Sequence, residues 1–194
     1  MYNNADIVLC DGVAILCASY LLKIPLKQRL TGLDVMPVYL EECARKGYRV
    51  FFFGAKDGGV DELQRKIFKK LPALQIAGIY TPPYAERFSD AANEKIISLI
   101  NSCKPDVVWV SLTAPKQDIW IYENISKLET YIVIGVGGTF EVTAGLIKRA
   151  PKFFQRTGQE WFYRFIKEPR RLFVRYSIEA PSFFPLLIKE IIRR

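Results

Sequence analysis

Short apolar runs alternate with helix-like segments along the first three quarters of the chain. The segment 57–71 has the spacing of an amphipathic helix, with Val60, Leu63, Ile67 and Leu71 on one face. The pattern predicts five strands, at 6–10, 49–54, 74–80, 106–112 and 130–137. Strands that alternate with helices predict an α/β fold in which a parallel sheet is covered by helices on both faces.

Capping and turn residues place the remaining helices of this region. One helix follows the first predicted strand and continues to about Leu22. A second is predicted from Asp34, as its capping residue, to Lys46, with Gly47 ending it. Ser89 and Pro115 are predicted to open two more helices, because Ser is a good helix cap and Pro suits a first helical turn.

Ligands of such folds bind at the carboxyl ends of the parallel strands. The residues that follow each predicted strand are therefore candidate ligand contacts. They are Asp11 and Gly12, Gly54, Thr81, Thr113 and Ala114, and Gly137 and Gly138.

The chain from Ala150 onward has a different pattern. It is aromatic and basic and contains four prolines, which predicts two to four short helices. Four basic residues have the spacing of one stripe along a helix: Arg164, Lys167, Arg171 and Arg175. Pro169 would offset the two halves of this stripe from each other. Such a stripe can bind phosphate oxygens or an anionic membrane, or it can be a solvated helical face.

The distribution of charge supports a separate role for this C-terminal part. The 194-residue chain has a net charge of +8. Residues 1–147 contain 16 Lys or Arg and 16 Asp or Glu, whereas residues 148–194 contain 12 and 4. We therefore divide the chain into a neutral body, 1–147, and a basic appendage, 148–194, with one local anionic partner.

Several absences narrow the possible chemistry. There is no histidine, so imidazole acid–base catalysis and His–metal sites are excluded. No apolar run reaches the roughly 18 residues of a transmembrane helix, and the N-terminus does not resemble a signal peptide. The four cysteines form no CxxC pair and are predicted to be reduced thiols in or near the core.

Three candidate site residues each have two interpretations. Asp11 is either a base for a substrate hydroxyl or a helix cap, and Gln117 is either a ligand contact or a surface residue. Glu141 either accepts hydrogen bonds from a nucleoside or stabilises a first helical turn. The glycine-rich segment 135–140 is either a diphosphate-binding turn or a simple tight turn, and Phe140 replaces the third glycine of a dinucleotide motif.

Taken together, the motifs resemble the WecG/TagA/CpsF family of bacterial glycosyltransferases. They are DG at 11–12, QRLTGLD at 28–34, APKQDIW at 114–120, GVGGTFEVTAG at 135–145 and the long block KRAPKFFQRTGQEWFYRFIKEPRRLFVRY at 148–176. The resemblance implies a Rossmann-like domain with a basic helical appendage that associates with the membrane. It also implies that the N-terminal part of the family domain is missing here, which would leave an uncovered sheet edge through which copies could associate.

The resemblance further implies inverting transfer of a sugar from a UDP-sugar to an undecaprenyl-diphosphate-linked saccharide, without metal or cofactor. A TagA-like member would move N-acetylmannosamine onto lipid-linked N-acetylglucosamine in wall teichoic acid synthesis. N-acetylmannosaminuronic acid or a hexose, for common antigen or capsule, remains an alternative donor. The expected location is the cytoplasm, at the inner face of the plasma membrane, with no nucleic-acid partner.

Residue by residue, the resemblance makes Asp11 the catalytic base. The residues expected to contact the substrates are Gly12, Arg29, Thr31, Gln117, Gly137 and Glu141. Arg164, Arg171 and Arg175 are expected near the diphosphates of the lipid-linked substrate. Two other classes remain open: a nicotinamide-dependent oxidoreductase, and a non-catalytic protein that binds membranes or nucleic acid through the basic appendage.

Overall fold

The computed structural model describes residues 2–54, 59–112, 114–174, 177 and 180–193. They form two compact units. The first unit contains residues 2–8 and Thr31–Lys148, and the second contains Leu9–Leu30 and residues 149–193. The segment 9–30 thus belongs with the C-terminal part, whereas the sequence assigned it to the body. The predicted functional division after residue 147 stays a prediction.

Helices and strands alternate through most of the chain. The strands are β1 (Arg49–Gly54), β2 (Gln75–Tyr80), β3 (Val107–Ser111) and β4 (Ile132–Gly135). The α-helices of the described residues are α1 (Val13–Leu21), α2 (Gly32–Lys46), α3 (Gly59–Lys70), α4 (Asp90–Ser102), α5 (Lys116–Asn124), α6 (Thr139–Thr143), α7 (Lys152–Arg156), α8 (Glu160–Lys167), α9 (Pro169–Val174) and α10 (Phe183–Arg193).

The first unit is built on a parallel sheet in the order β2–β1–β3–β4. Phe52 and Trp109 pack with α2 and α3 residues in one buried cluster. Phe51 and Val108 belong to a second cluster that includes residues of α4 and α5. Successive side chains of a strand point to opposite faces, so the two clusters lie on opposite sides of the sheet. This confirms the predicted α/β fold, with β3 buried on both faces.

The run at 6–10 was predicted to be a strand, and this prediction is wrong. No strand is formed there, and Ile7 is 79% exposed. Among the described residues, β4 pairs only with β3. An apolar run gains strand stability only by hydrogen bonding to a neighbouring strand, and the local pattern cannot show whether that neighbour exists. Within the described ranges, the sheet therefore has four strands rather than five.

The N-cap of α2 lies three residues before the cap predicted from the sequence. Thr31 is the N-cap residue, and Asp34 is the third helical residue of a capping box. The Asp34 carboxylate accepts hydrogen bonds from the Thr31 backbone N–H at 3.1 Å and from its hydroxyl at 2.8 Å. The C-terminal prediction is confirmed, because Gly47 ends the helix with a φ of +72°.

The second unit combines α1 with the short helices α7 to α10. Helix α8 ends at Lys167 and α9 begins at Pro169, which confirms the predicted interruption. The turn before α8 lies close to α1, because a Cβ added at Gly158 would be 2.8 Å from Val13 Cγ2. In the part of the chain that the structure describes, no helix is long and apolar enough to cross a membrane.

Candidate functional site

In the first unit, the carboxyl ends of β1 and β3 meet the turn that follows β4. Gly54 is in register with Ser111, and the Ser111 hydroxyl donates a hydrogen bond to the Gly137 carbonyl. Gly54 has a φ of +109°, and any Cβ there would collide with the Ser111 backbone. Glycine at position 54 therefore permits the close backbone approach at this edge.

Gln117 fixes the same turn from α5. Its side chain is buried, and Oε1 accepts a hydrogen bond from the Gly137 N–H at 2.7 Å. Its Nε2 donates to Asp118 Oδ1 at 3.3 Å, which orients the amide. Asp118 also accepts from the Tyr2 hydroxyl at 2.8 Å, and this bond raises the pKa of Tyr2. The structure thus brings together two predicted site residues, Gln117 and Gly137, and gives Gln117 a positioning role.

The backbone at Gly137 is open on one side. Its φ is +56°, and nothing lies within 4 Å of the position that a Cβ would occupy. The neighbouring Thr139 hydroxyl donates to the Val136 carbonyl at 2.6 Å, and Gly32 packs tightly against both residues. A fixed turn with open backbone can accept a bulky polar group.

Glu141 is the most unusual polar residue of this edge. It lies in α6, is only 8% exposed, and its buried Oε2 has no hydrogen-bond partner among the described residues. A buried carboxylate oxygen without a donor is energetically unfavourable, so this position suits a ligand that supplies a hydroxyl or an N–H.

The second unit brings Asp11 and Arg29 together. Arg29 Nη1 lies 3.9 Å from Asp11 Oδ1 and donates to the Asp11 carbonyl at 3.5 Å. The Asp11 side chain is 76% exposed, so its carboxylate is accessible to a substrate. The alternative that Asp11 is the helix cap is wrong, because Gly12 is the N-cap residue of α1.

Sequence reasoning missed two residues of this cluster, Glu160 and Arg149. Glu160 Oε2 accepts a hydrogen bond from Arg29 Nη2, and its Oε1 accepts from Arg149 Nε at 3.3 Å. Both residues lie in the long block at 148–176 that carries the family resemblance. This block was the sequence signal that could have pointed to them. Arg29 and Glu160 are 131 positions apart, so no local pattern could pair them.

The neighbouring cysteine is not a nucleophile candidate. Burial raises the pKa of the Cys10 thiol, and the charge of Asp11 raises it further, while Arg29 opposes the shift. Cys10 is therefore protonated at neutral pH. Within the described residues, no three Cys, Asp or Glu side chains form a group that could hold a metal ion.

The remaining predicted residues are only partly described. Arg164 is exposed on α8, three positions before Lys167. Thr31 donates its hydroxyl to Asp34. The side chain of Arg171 is outside the described part of the chain, as are Thr113 and Arg175 in full.

The model of the WecG/TagA/CpsF family of glycosyl transferases matches residues 1–194, the whole chain. The chain belongs to the WecG/TagA/CpsF family. The resemblance carried by the sequence motifs is thereby confirmed. For a WecG/TagA/CpsF protein, glycosyl transfer is favoured over the oxidoreductase and the non-catalytic binding protein that the sequence had left open.

Individual relatives within the WecG/TagA/CpsF family are also similar over most of the chain. A protein of Bacillus spizizenii is 32% identical over 187 residues, which is 96% of this chain and 70% of the relative. A protein of Staphylococcus aureus is 31% identical over 172 residues, 89% of this chain and 65% of the relative. Both are named N-acetylglucosaminyldiphosphoundecaprenol N-acetyl-beta-D-mannosaminyltransferase. This chain therefore spans about two thirds of the length of these relatives.

Proposed function

We propose that the chain transfers N-acetylmannosamine from its UDP derivative to undecaprenyl-diphosphate-linked N-acetylglucosamine, in wall teichoic acid synthesis. The proposal depends on the shared name of the two relatives, which are 31–32% identical to this chain. UDP as the carrier follows from the family resemblance of the motifs.

The nucleotide is proposed to bind in the first unit, at the turn after β4. The unpartnered Oε2 of Glu141 would accept a hydrogen bond from the ribose or the base. The open backbone at Gly137 leaves room for the diphosphate, and the Gln117 bond to the Gly137 N–H holds this turn in place. A turn that is fixed before the substrate arrives loses little entropy when it binds.

Asp11 is proposed as the general base. Its carboxylate removes the proton of an acceptor sugar hydroxyl, and the hydroxyl oxygen forms a bond to the anomeric carbon. The bond between that carbon and the UDP oxygen breaks, UDP leaves with the electron pair, and the configuration is inverted. The exposure of Asp11 supports this role, since the acceptor hydroxyl has to reach it.

The developing charge on UDP is proposed to be stabilised by arginines and backbone N–H groups, without a metal or cofactor. Arg164, Arg171 and Arg175 have a separate proposed role, at the diphosphate of the lipid-linked substrate to which the family resemblance assigns them. Their guanidinium groups suit phosphate oxygens because each can donate two parallel hydrogen bonds.

The second unit is proposed to bind the inner face of the plasma membrane. On α8, exposed Trp161 and Ile166 lie close in sequence to Arg164 and Lys167. Helix α10 exposes further apolar side chains, namely Phe184, Leu186, Ile188 and Ile192. Helices with apolar and basic residues bind the interface of anionic membranes, which is where the lipid-linked acceptor is located.

The test is release of UDP by the full chain from a panel of UDP-sugars, with undecaprenyl-diphosphate N-acetylglucosamine in vesicles. We expect release only with UDP-N-acetylmannosamine, faster in anionic than in neutral vesicles. Asp11→Asn, which keeps shape but removes basicity, should lower the rate by about 10²- to 10⁴-fold. Asp90→Asn, at an exposed position of α4, is the matched control.

The other outcomes are equally informative. Release of UDP only from UDP-N-acetylmannosaminuronic acid or a UDP-hexose would show that this sugar nucleotide, and not UDP-N-acetylmannosamine, is the donor. Vesicle binding without release from any donor would favour a non-catalytic membrane protein. A near-normal rate in Asp11→Asn would remove Asp11 from the base role.

A further inference from the structure

We propose that Glu160 is a positioning residue for the transfer reaction: it holds Arg29 in place beside Asp11, so that Arg29 does not capture the Asp11 carboxylate. This inference rests on the proposed function, in which Asp11 is the base. Glu160 was not among the residues that the sequence or the family resemblance assigned to the site.

The geometry of the cluster is asymmetric. Arg29 Nη2 is hydrogen-bonded to Glu160 Oε2, whereas Arg29 Nη1 approaches Asp11 Oδ1 only to 3.9 Å. The Glu160 side chain is 10% exposed and that of Arg29 17%, against 76% for Asp11. The stronger and more buried ion pair is thus the one with Glu160, and the Asp11 side chain is mostly exposed to solvent.

Arg149 completes the arrangement from the other side of Glu160. Its Nε donates to Glu160 Oε1 at 3.3 Å, so both carboxylate oxygens of Glu160 are bound by guanidinium groups. A carboxylate held at both oxygens has little freedom to rotate, and Arg29 is restrained in turn. Glu160 therefore acts on the reaction through Arg29 and does not itself need to touch the substrate.

Electrostatics give this cluster a second effect on Asp11. Among the described residues, the charged and titratable groups near Asp11 include Cys10 and Arg29. Glu160 is paired with Arg29, and Arg149 is paired with Glu160. Without the negative charge of Glu160, the positive charge of Arg29 would be uncompensated beside Asp11. The ionised form of Asp11 would then be favoured, which lowers its pKa and makes it a weaker base.

Glu160→Gln tests the proposal because it keeps the shape of the side chain and removes its charge. In the full chain, we expect the Asp11 carboxyl titration, followed by ¹³C NMR and assigned with Asp11→Asn, to move to lower pH by about one unit. We expect kcat to fall about tenfold, since a weakened base loses part of its catalytic effect. UDP affinity should not change, because the proposed nucleotide contacts are in the first unit.

Glu123→Gln is the matched control. It removes the carboxylate from another tertiary ion pair, in which Arg87 Nη2 lies 2.7 Å from Glu123 Oε1. Neither the Asp11 titration nor kcat should change in this variant. An unshifted Asp11 titration and a normal kcat in folded Glu160→Gln would overturn the positioning role.

The proposal can still be tested if Glu160→Gln does not fold or if the wild-type chain transfers no sugar. If circular dichroism shows that Glu160→Gln is unfolded, Glu160→Asp is tested instead. This variant retains the charge but shortens the reach to Arg29 and Arg149. A normal transfer rate in Glu160→Asp would then reduce Glu160 to a folding role and overturn the proposal. A wild-type chain that transfers no sugar would overturn the proposed function instead, and the NMR titration would still decide whether Glu160 controls Asp11.

Discussion

At the level of single residues, three carboxylates among the candidate functional residues of the two units have three different environments. Asp11 is exposed, and Glu160 is buried with both oxygens bound by arginines. Glu141 is buried, and one of its oxygens has no hydrogen-bond partner among the residues that the structure describes. Burying a charge without a partner costs free energy, so a natural protein retains such a group chiefly where a ligand uses it. Glu141 is therefore the position where stability and function should separate most clearly.

We predict that Glu141→Gln weakens UDP binding without destabilising the fold. The neutral amide has a similar shape and is less costly to bury, so the free energy of unfolding should be unchanged or higher. The dissociation constant for UDP should rise about tenfold, because a charge-assisted hydrogen bond to the nucleoside becomes a neutral one. Urea unfolding and titration calorimetry measure the two quantities.

Glu94→Gln, at an exposed position of α4, is the control for this prediction and should change neither quantity. A loss of stability in Glu141→Gln with unchanged UDP affinity would identify Glu141 as a structural residue. In that case, the nucleotide would have to be bound elsewhere.

At the level of elements, the motif at the start of α2 stabilises the helix by capping its N-terminus. The family resemblance made Thr31 a substrate contact. In the structure, Thr31 is the N-cap of α2, and its hydroxyl and backbone N–H both donate to Asp34. The motif TGLD at 31–34 therefore has a sufficient structural reason in the capping box, and its contact with substrate stays a prediction.

We predict that Thr31→Ala and Asp34→Ala each lower the free energy of unfolding by about 1 kcal/mol, the usual cost of losing a helix cap. The double variant should lose less than the sum, because both changes remove the same hydrogen bonds. Urea unfolding of the two single variants and the double variant gives the coupling. Additive losses would contradict a shared capping box.

The cap of α4 provides the control for this cycle. Ser89 accepts a hydrogen bond from the Ala92 N–H at 3.3 Å and belongs to a separate helix. Thr31→Ala combined with Ser89→Ala should therefore be additive, as expected for independent sites.

The same elements show which features the sequence could predict. Ser89, Gly47 and Pro169 are local signals, and each marks the helix boundary that was predicted from it. The alternation of strands and helices also predicted a sheet covered on both faces, and every residue of β3 is buried. Topology alone placed Gln117 and Gly137 at the same sheet edge, because each follows a parallel strand.

Features that depend on distant partners could not be predicted. The segment 6–10 has a strand-like pattern but no neighbouring strand in the described part of the chain. Glu160 is separated from Arg29 by 131 positions, so their pairing depends on tertiary structure alone. The grouping of residues 9–30 with the C-terminal helices likewise has no local signature.

At the level of the whole molecule, the two units are stabilised differently. Both large hydrophobic clusters consist of first-unit residues. In the described part of the second unit, the buried apolar residues are Ala18, Ala150 and Leu172. Because burial of apolar surface is the main source of stability, the second unit should be the less stable one. Its ion pairs between Glu160 and two arginines then carry a larger share of its cohesion.

We predict that the second unit opens as one cooperative body before the sheet does. In mild urea, amides of α1 and α8 should lose protection from hydrogen exchange together, while β1 and β3 remain protected, as measured by mass spectrometry of peptides. Glu160→Gln should lower protection in α1 and α8 alike, because it removes the link between Arg29 and the C-terminal helices. Glu123→Gln should leave both unchanged. Loss of protection in α8 alone would mean that residues 9–30 fold independently of the C-terminal part, and that Asp11 and Arg29 keep their places without Glu160.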